Sequence, residues 1–194
     1  MITIPLRILL VEDNQTDVLL IKRKIGKVVD SPQIELAEDL EACRHAMANF
    51  VPDLVISDYN LPTCTGLEVF QLCQNIDPDL PFIFITGTLD DEELAADTIL
   101  SGASGFILKK HMKELDRLLK PMLKRIVLKM SPHPEVREQI RLNKAAVNQI
   151  RTYLDSLKAP DFEKRREKIE RMRRDLEKLQ QAQDKVSRNE NEKP

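Results

Sequence analysis

Over the first 130 residues, apolar positions fall into short solid runs separated by longer stretches in which they recur every three or four residues. The solid runs cover 6–11, 33–37, 53–58, 81–86 and 105–109. Runs of this length without polar alternation are what strands buried on both faces show. Between them, 15–29, 40–50, 66–76 and 92–100 carry the helical period, with Val18, Ile21, Ile25 and Val28 marking one face of the first. Asn14 stands where it can cap that helix, and Asp17 lies in its first turn, where a negative charge suits the helix dipole. Asp90 with Glu93 makes a capping-box-like start for the fourth helix. A fifth helical stretch reaches about residue 130, with Pro121 either kinking it or marking its start.

Strands alternating with helices in this way predict an α/β fold, a doubly wound, five-stranded parallel sheet, because each parallel crossover needs a covering helix. In such a sheet every strand delivers its C-terminal end to one edge, where open α/β sheets bind ligands. Topology alone therefore gathers Glu12 and Asp13 after the first strand, Asp58 at the end of the third, Thr86 after the fourth and Lys109 after the fifth.

Three carboxylates held this close repel, and a hard divalent cation relieves them; Mg²⁺ takes oxygen ligands, keeps several waters and uses one or two carboxylates with a phosphate oxygen. Lys109 supplies a fixed positive charge and Thr86 a hydroxyl donor, the equipment for holding a phosphoryl group's oxygens, with Asp58 as nucleophile. Each residue alone has a plainer explanation: helix-terminal charge for Glu12 and Asp13, the start of a turn for Asp58, a β-branched strand residue for Thr86, an exposed strand end for Lys109. Their coincidence at matching strand ends is what those explanations do not supply.

With these residues in place, 6–120 resembles a response-regulator receiver domain of two-component signalling. Leu-Leu-Val-Glu-Asp-Asn at 9–14 is similar to the family's acidic metal site, Asp58 in Ser-Asp-Tyr-Asn-Leu-Pro to its phosphoacceptor, and Thr86 and Lys109 to its phosphoryl-binding hydroxyl and lysine. The resemblance implies a flavodoxin-like sheet in the order 2-1-3-4-5. It also implies transfer of phosphate from a histidine kinase to Asp58, with Mg²⁺ held by Glu12, Asp13, Asp58 and the Asn60 carbonyl. Thr86 and Phe106 would form the switch, and Asn60 and Thr88 would tune loss of the phosphate. No enzymatic role beyond the chain's own phosphorylation and dephosphorylation is implied. Two positions depart from the pattern: Lys110 follows the lysine where many receivers have proline, and Phe106 lacks the hydroxyl of the more usual tyrosine.

Beyond residue 130 the period changes. Val136, Ile140, Asn143, Val147, Ile150, Leu154 and Leu157 alternate spacings of four and three, with Ala146 and Tyr153 widening the stripe. Ala159-Pro160-Asp161 interrupts it, and Phe162, Arg165, Ile169, Met172, Leu176, Leu179, Gln183 and Val186 resume it as a narrower seam. The reading is a receiver over 1–130, a two-helix hairpin or coiled-coil extension over 131–187 and a disordered end over 188–194. One hairpin encloses little interior, so two chains are expected to pair into a homodimer through these helices, with an unidentified downstream protein as the further partner.

Charge sharpens the division: residues 1–130 carry 14 basic against 20 acidic side chains, and 131–194 carry 16 against 12. An acidic sheet domain is a poor nucleic-acid binder, so that alternative, a DNA-binding transcriptional regulator, rests on the basic tail. There Glu167 with Arg171, Glu170 with Arg174 and Asp161 with Arg165 have the i,i+4 spacing of a solvated helix face, and nucleic acid is not expected to be the partner. Cys43, Cys64 and Cys73 form no C-x-x-C pair and suit a reducing compartment. No apolar run approaches the ~20 residues of a membrane span, and no signal pattern opens the chain, so a cytoplasmic location is expected.

Overall fold

The computed structural model describes residues 1–87, 102–130, 133–157 and isolated positions between 169 and 177. The helix expected over 92–100, Thr88 and most of the second tail helix lie outside the described residues. The chain divides into two compact units, Met1–Met130 and Ser131–Pro194.

In the first unit, β1 (Arg7–Val11), β2 (Gln33–Ala37), β3 (Leu54–Asp58), β4 (Phe82–Thr86) and β5 (Gly105–Leu108) form one parallel sheet in the order β2-β1-β3-β4-β5. This is the expected flavodoxin-like arrangement. Strand alternation feeds two cores. Ile8, Leu10, Leu54, Ile56, Ile83, Ile85 and Ile107 pack on one face with α1 (Gln15–Ile25) and α4 (Leu115–Lys129). Leu9, Val11, Val55, Phe82 and Phe84 pack on the other with α2 (Leu40–Asn49) and α3 (Gly66–Ile76). The second core is the aromatic one: Phe82 and Phe84 lie 4.7 Å apart between ring centroids, and Phe70 meets Phe82 edge-on at 5.2 Å. Beside it Cys43 and Cys73 face each other across α2 and α3 as free thiols, sulfur to sulfur 3.8 Å.

Local chemistry sets the element ends. Asn14 caps α1 by accepting from the Thr16 and Asp17 amides, and Asp39 caps α2 through the Ala42 amide. Thr65 and Glu68 form a reciprocal capping box at the start of α3. Helix α1 ends at Ile25 rather than near residue 29, because Gly26 closes it and Val28 then hands its carbonyl to the Ile2 amide. Val28 keeps the apolar period by being buried in that turn. Likewise Lys109 does not end β5; it begins a 3-10 turn, Lys109–Glu114, that leads into α4. Helix α4 continues through Pro121, which therefore does not mark its start, forgoing the bond to the Arg117 carbonyl, while Leu115, Leu119, Leu123 and Ile126 hold it to the sheet.

In the second unit, α5 spans Pro134–Leu157. The heptad stripe faces outward: Val136, Ile140, Val147, Ile150 and Leu154 are exposed. The row that the chain itself covers is a different one, Leu142, Ala145 and Gln149, with Arg137 alongside.

Gly66 is where the fold is least tolerant. A Cβ there would lie 2.5 Å from the Asp58 carbonyl oxygen and 2.8 Å from the Tyr59 Cα, both backbone. Gly66→Ala is expected to lower stability by roughly 1–3 kcal/mol in urea unfolding, as overpacking does. Gly26→Ala, whose nearest neighbours stand at 3.6 Å, should cost far less and serves as the control.

Candidate phosphoacceptor and metal site

The C-terminal edge of the sheet carries four of the expected site residues in side-chain contact or close to it. Glu12 continues the parity of Ile8 and Leu10, Asp58 that of Leu54 and Ile56, and Lys109 that of Ile107. All three therefore emerge on the face shared with α1 and α4. Lys109 Nζ donates to Glu12 Oε2 at 2.9 Å, to Asp58 Oδ2 at 2.7 Å and to Asp17 Oδ2 at 2.7 Å. Register brings the ends level: β1 pairs with β3 through Val11 and Ser57, and Asp58 sits opposite Ile85 on β4.

Each carboxylate has a second anchor. Glu12 is fully buried, and its other oxygen accepts from the Asn14 amide at 3.1 Å. The Asn60 amide donates to Asp58 Oδ1 at 3.2 Å, which fixes the aspartate as the strand breaks into its loop. Asp13 is exposed, and Glu12, Asp13 and Asp58 each present a ligand oxygen within 4.8 Å of the others. Burial pushes the Glu12 carboxyl above its ordinary range, although Lys109 pulls the other way. Burial by itself would lower the Lys109 ammonium, but its bonds to Asp17, Asp58 and Glu12 outweigh that and raise it.

This donor set fits a hydrated Mg²⁺. It offers hard oxygens only, clustered, with one member open to solvent for the waters such an ion keeps. A second positive charge beside Glu12 would also relieve the burial that disfavours its ionised form.

The receiver-domain family model, described as "Response regulator receiver domain", matches residues 8–120, more than half of the sequence. The chain belongs to the response regulator receiver family. Response regulator MprA of Mycobacterium sp. (strain KMS) is 29% identical over 122 residues, 62% of this chain and 52% of that protein. The DNA-binding transcriptional activator DevR/DosR of Mycobacterium tuberculosis is 27% identical over 107 residues, 53% of this chain and 47% of that protein. The chain thus spans about half the length of these two relatives. Among solved structures, the signal receiver domain of a LuxO repressor protein from Vibrio parahaemolyticus superposes with a TM-score of 0.55 at 27% identity, over 65% of this chain and 95% of that one.

The remaining expected residues of this receiver are placed less directly. Thr86 ends β4 at the same edge, fully buried, one residue beyond the partner of Asp58. Phe106 lies in β5 opposite Phe84, half-buried against the aromatic core. Asn60 is exposed and forms an isolated bridge with Thr65. Thr88 is outside the described residues. The sequence reading passed over Asp17 as a site residue, treating it only as helix-terminal charge. Its spacing of four from Asp13, on a helix that begins at Gln15, was the available signal that it shares the acidic face. It also passed over Lys24, whose ammonium reaches Asp116 at 2.8 Å and the Lys113 carbonyl, tying α1 to the turn that carries Lys109.

Removing the lysine isolates two buried acids. Lys109→Met, measured by urea unfolding in chelator, is expected to lose roughly 3–5 kcal/mol, as does breaking a buried ion pair from one side. Added Mg²⁺ should then restore more stability to the variant than it adds to the parent. Equal Mg²⁺ effects on both proteins would remove the link between this lysine and the metal site.

Proposed function

We propose that this receiver accepts a phosphoryl group on Asp58 from a histidine kinase and signals through contacts made by its tail. The observation that carries the reading is the meeting of Lys109 Nζ with Asp58 Oδ2 at 2.7 Å and Glu12 Oε2 at 2.9 Å at one strand edge. An Asp58 oxygen attacks phosphorus, the bond from phosphorus to the kinase's histidine nitrogen breaks, and an acyl phosphate is left on the chain. Lys109 follows the incoming charge, moving from Asp58 Oδ2 to a phosphoryl oxygen. Thr86 donates its hydroxyl to another, and Phe106 turns inward as it does so. Glu12, Asp13, Asp58 and the Asn60 carbonyl would hold Mg²⁺, which would supply charge neutralisation for the transferring group. Asn60 and Thr88 set how quickly water removes it. The chain catalyses only its own phosphorylation and dephosphorylation.

The output is protein interaction: a homodimer through the C-terminal helices, with a further protein partner. The setting is the cytoplasm, where the free thiols of Cys43, Cys64 and Cys73 stay reduced. Among the described residues no helix is long and apolar enough to cross a membrane.

The expectation that nucleic acid is not a partner finds no support among the relatives, one of which is named as a DNA-binding activator. DNA binding through the basic tail is therefore the second reading. Its mark is sequence-selective binding that weakens steeply with salt.

Intact-mass measurement after incubation with Mg²⁺ and acetyl phosphate is expected to show a single phosphate adduct on the parent and none on Asp58→Asn. An adduct that persists in the variant would place the acceptor elsewhere, and a folded parent with no adduct would end the phosphoacceptor reading.

A further inference from the structure

The tail presents an apolar face that its own chain does not cover. Val136, Ile140, Val147, Ile150 and Leu154 are between 46% and 58% exposed, on a helix whose opposite row, Leu142, Ala145 and Gln149, is at most 7% exposed. From 136 to 154 the exposed row runs about 27 Å along the helix at ~1.5 Å per residue. A contiguous aliphatic stripe of that length on one helix marks an interaction surface. Its spacing of four and three is the 3.5-residue period that keeps a seam facing a partner helix of the same period.

We infer that the occupant of this face is α5 of a second copy of the chain, running parallel and in register. This rests on the homodimer reading above and fixes its geometry. Two features select it. Asn143 stands within the seam, one step from Ile140 and one from Val147. In a parallel, in-register pair it meets the other Asn143, and two amides can satisfy each other. In an antiparallel pair centred on the stripe it meets Val147, where its carbonyl keeps the Gln139 Nε2 donor at 3.1 Å but its NH2 group is buried against an aliphatic side chain.

The flanks agree. One side of the seam carries the exposed Lys144 and Arg151, the chain itself burying Arg137 seven residues before them, and the other carries Gln139, Ala146 and Tyr153. An antiparallel pair sets like flanks together, basic row against basic row. A parallel pair sets each basic row against an uncharged one. Pairing through this seam leaves the covered row of Leu142, Ala145 and Gln149 untouched.

The test uses the full chain with one cysteine added at a time: Val136→Cys, Asn143→Cys and Ile150→Cys, beside the parent, whose three native cysteines are buried. Each is oxidised mildly with copper phenanthroline and run on a non-reducing gel, and light scattering is recorded in parallel. A covalent dimer from all three variants and none from the parent is the expected result, since parallel register places each position against itself. Light scattering that reports a dimer, with no covalent dimer from any variant, would overturn the parallel pairing and leave the homodimer reading standing. A monomeric mass for the parent would overturn both, while phosphate uptake by Asp58 is judged separately by mass. Ile150→Glu adds a second arm: with its side chain exposed the fold should survive, by unchanged far-UV circular dichroism, and the dimer should dissociate. A dimer that persists in this variant counts against the seam.

Discussion

One ammonium group holds the functional edge together. Lys109 bridges a fully buried glutamate, a nearly buried aspartate and a third acid from the first turn of α1. The desolvation cost of Glu12 and Asp58 is tolerable only while a cation stays beside them. Nearly every feature of the first unit serves that requirement. The sheet register levels the strand ends, the 3-10 turn after β5 lifts Lys109 over them, and Lys24 ties α1 to that turn through the Lys113 carbonyl and to α4 through Asp116.

The parts of this arrangement that were legible in the sequence are those set by period and topology. Solid apolar runs located the strands, and parallel topology assembled Glu12, Asp58, Thr86 and Lys109 from distances no local pattern records. What the sequence concealed was local or relative. Val28 carried the helical period although it lies in a turn, since burial and helicity leave the same mark. Lys109 read as the last strand residue because a 3-10 turn has no apolar signature of its own. Asp17 was hidden by a sufficient simpler explanation, its favourable place near a helix N-terminus.

The tail shows the same limit from the other side. Its heptad stripe was plain, but period names a face without naming its occupant. Which row the chain itself covers depends on side-chain size and on the rest of the unit. Leu142, Ala145 and Gln149 are covered, and the bulkier row is left outward. The polar interruption at Asn143 acquires meaning only once that outward exposure is known, because an asparagine at a solvent-facing position of a lone helix would need no partner at all.

The wide sequence spacing of the site has a kinetic consequence. Lys109 and Glu12 lie 97 residues apart, and Lys109 and Asp58 lie 51 apart. Contacts so distant raise the contact order of the unit, which favours slower folding than in a helical bundle of the same length. During synthesis the first three strands emerge with their acids in place but with no lysine to hold them. Until β5 has left the ribosome and docked against β4, the edge is an uncompensated cluster of negative charge. Completion of the last strand supplies the lysine, and the helix after it, with Leu115, Leu119, Leu123 and Ile126, then closes the core over that face of the sheet.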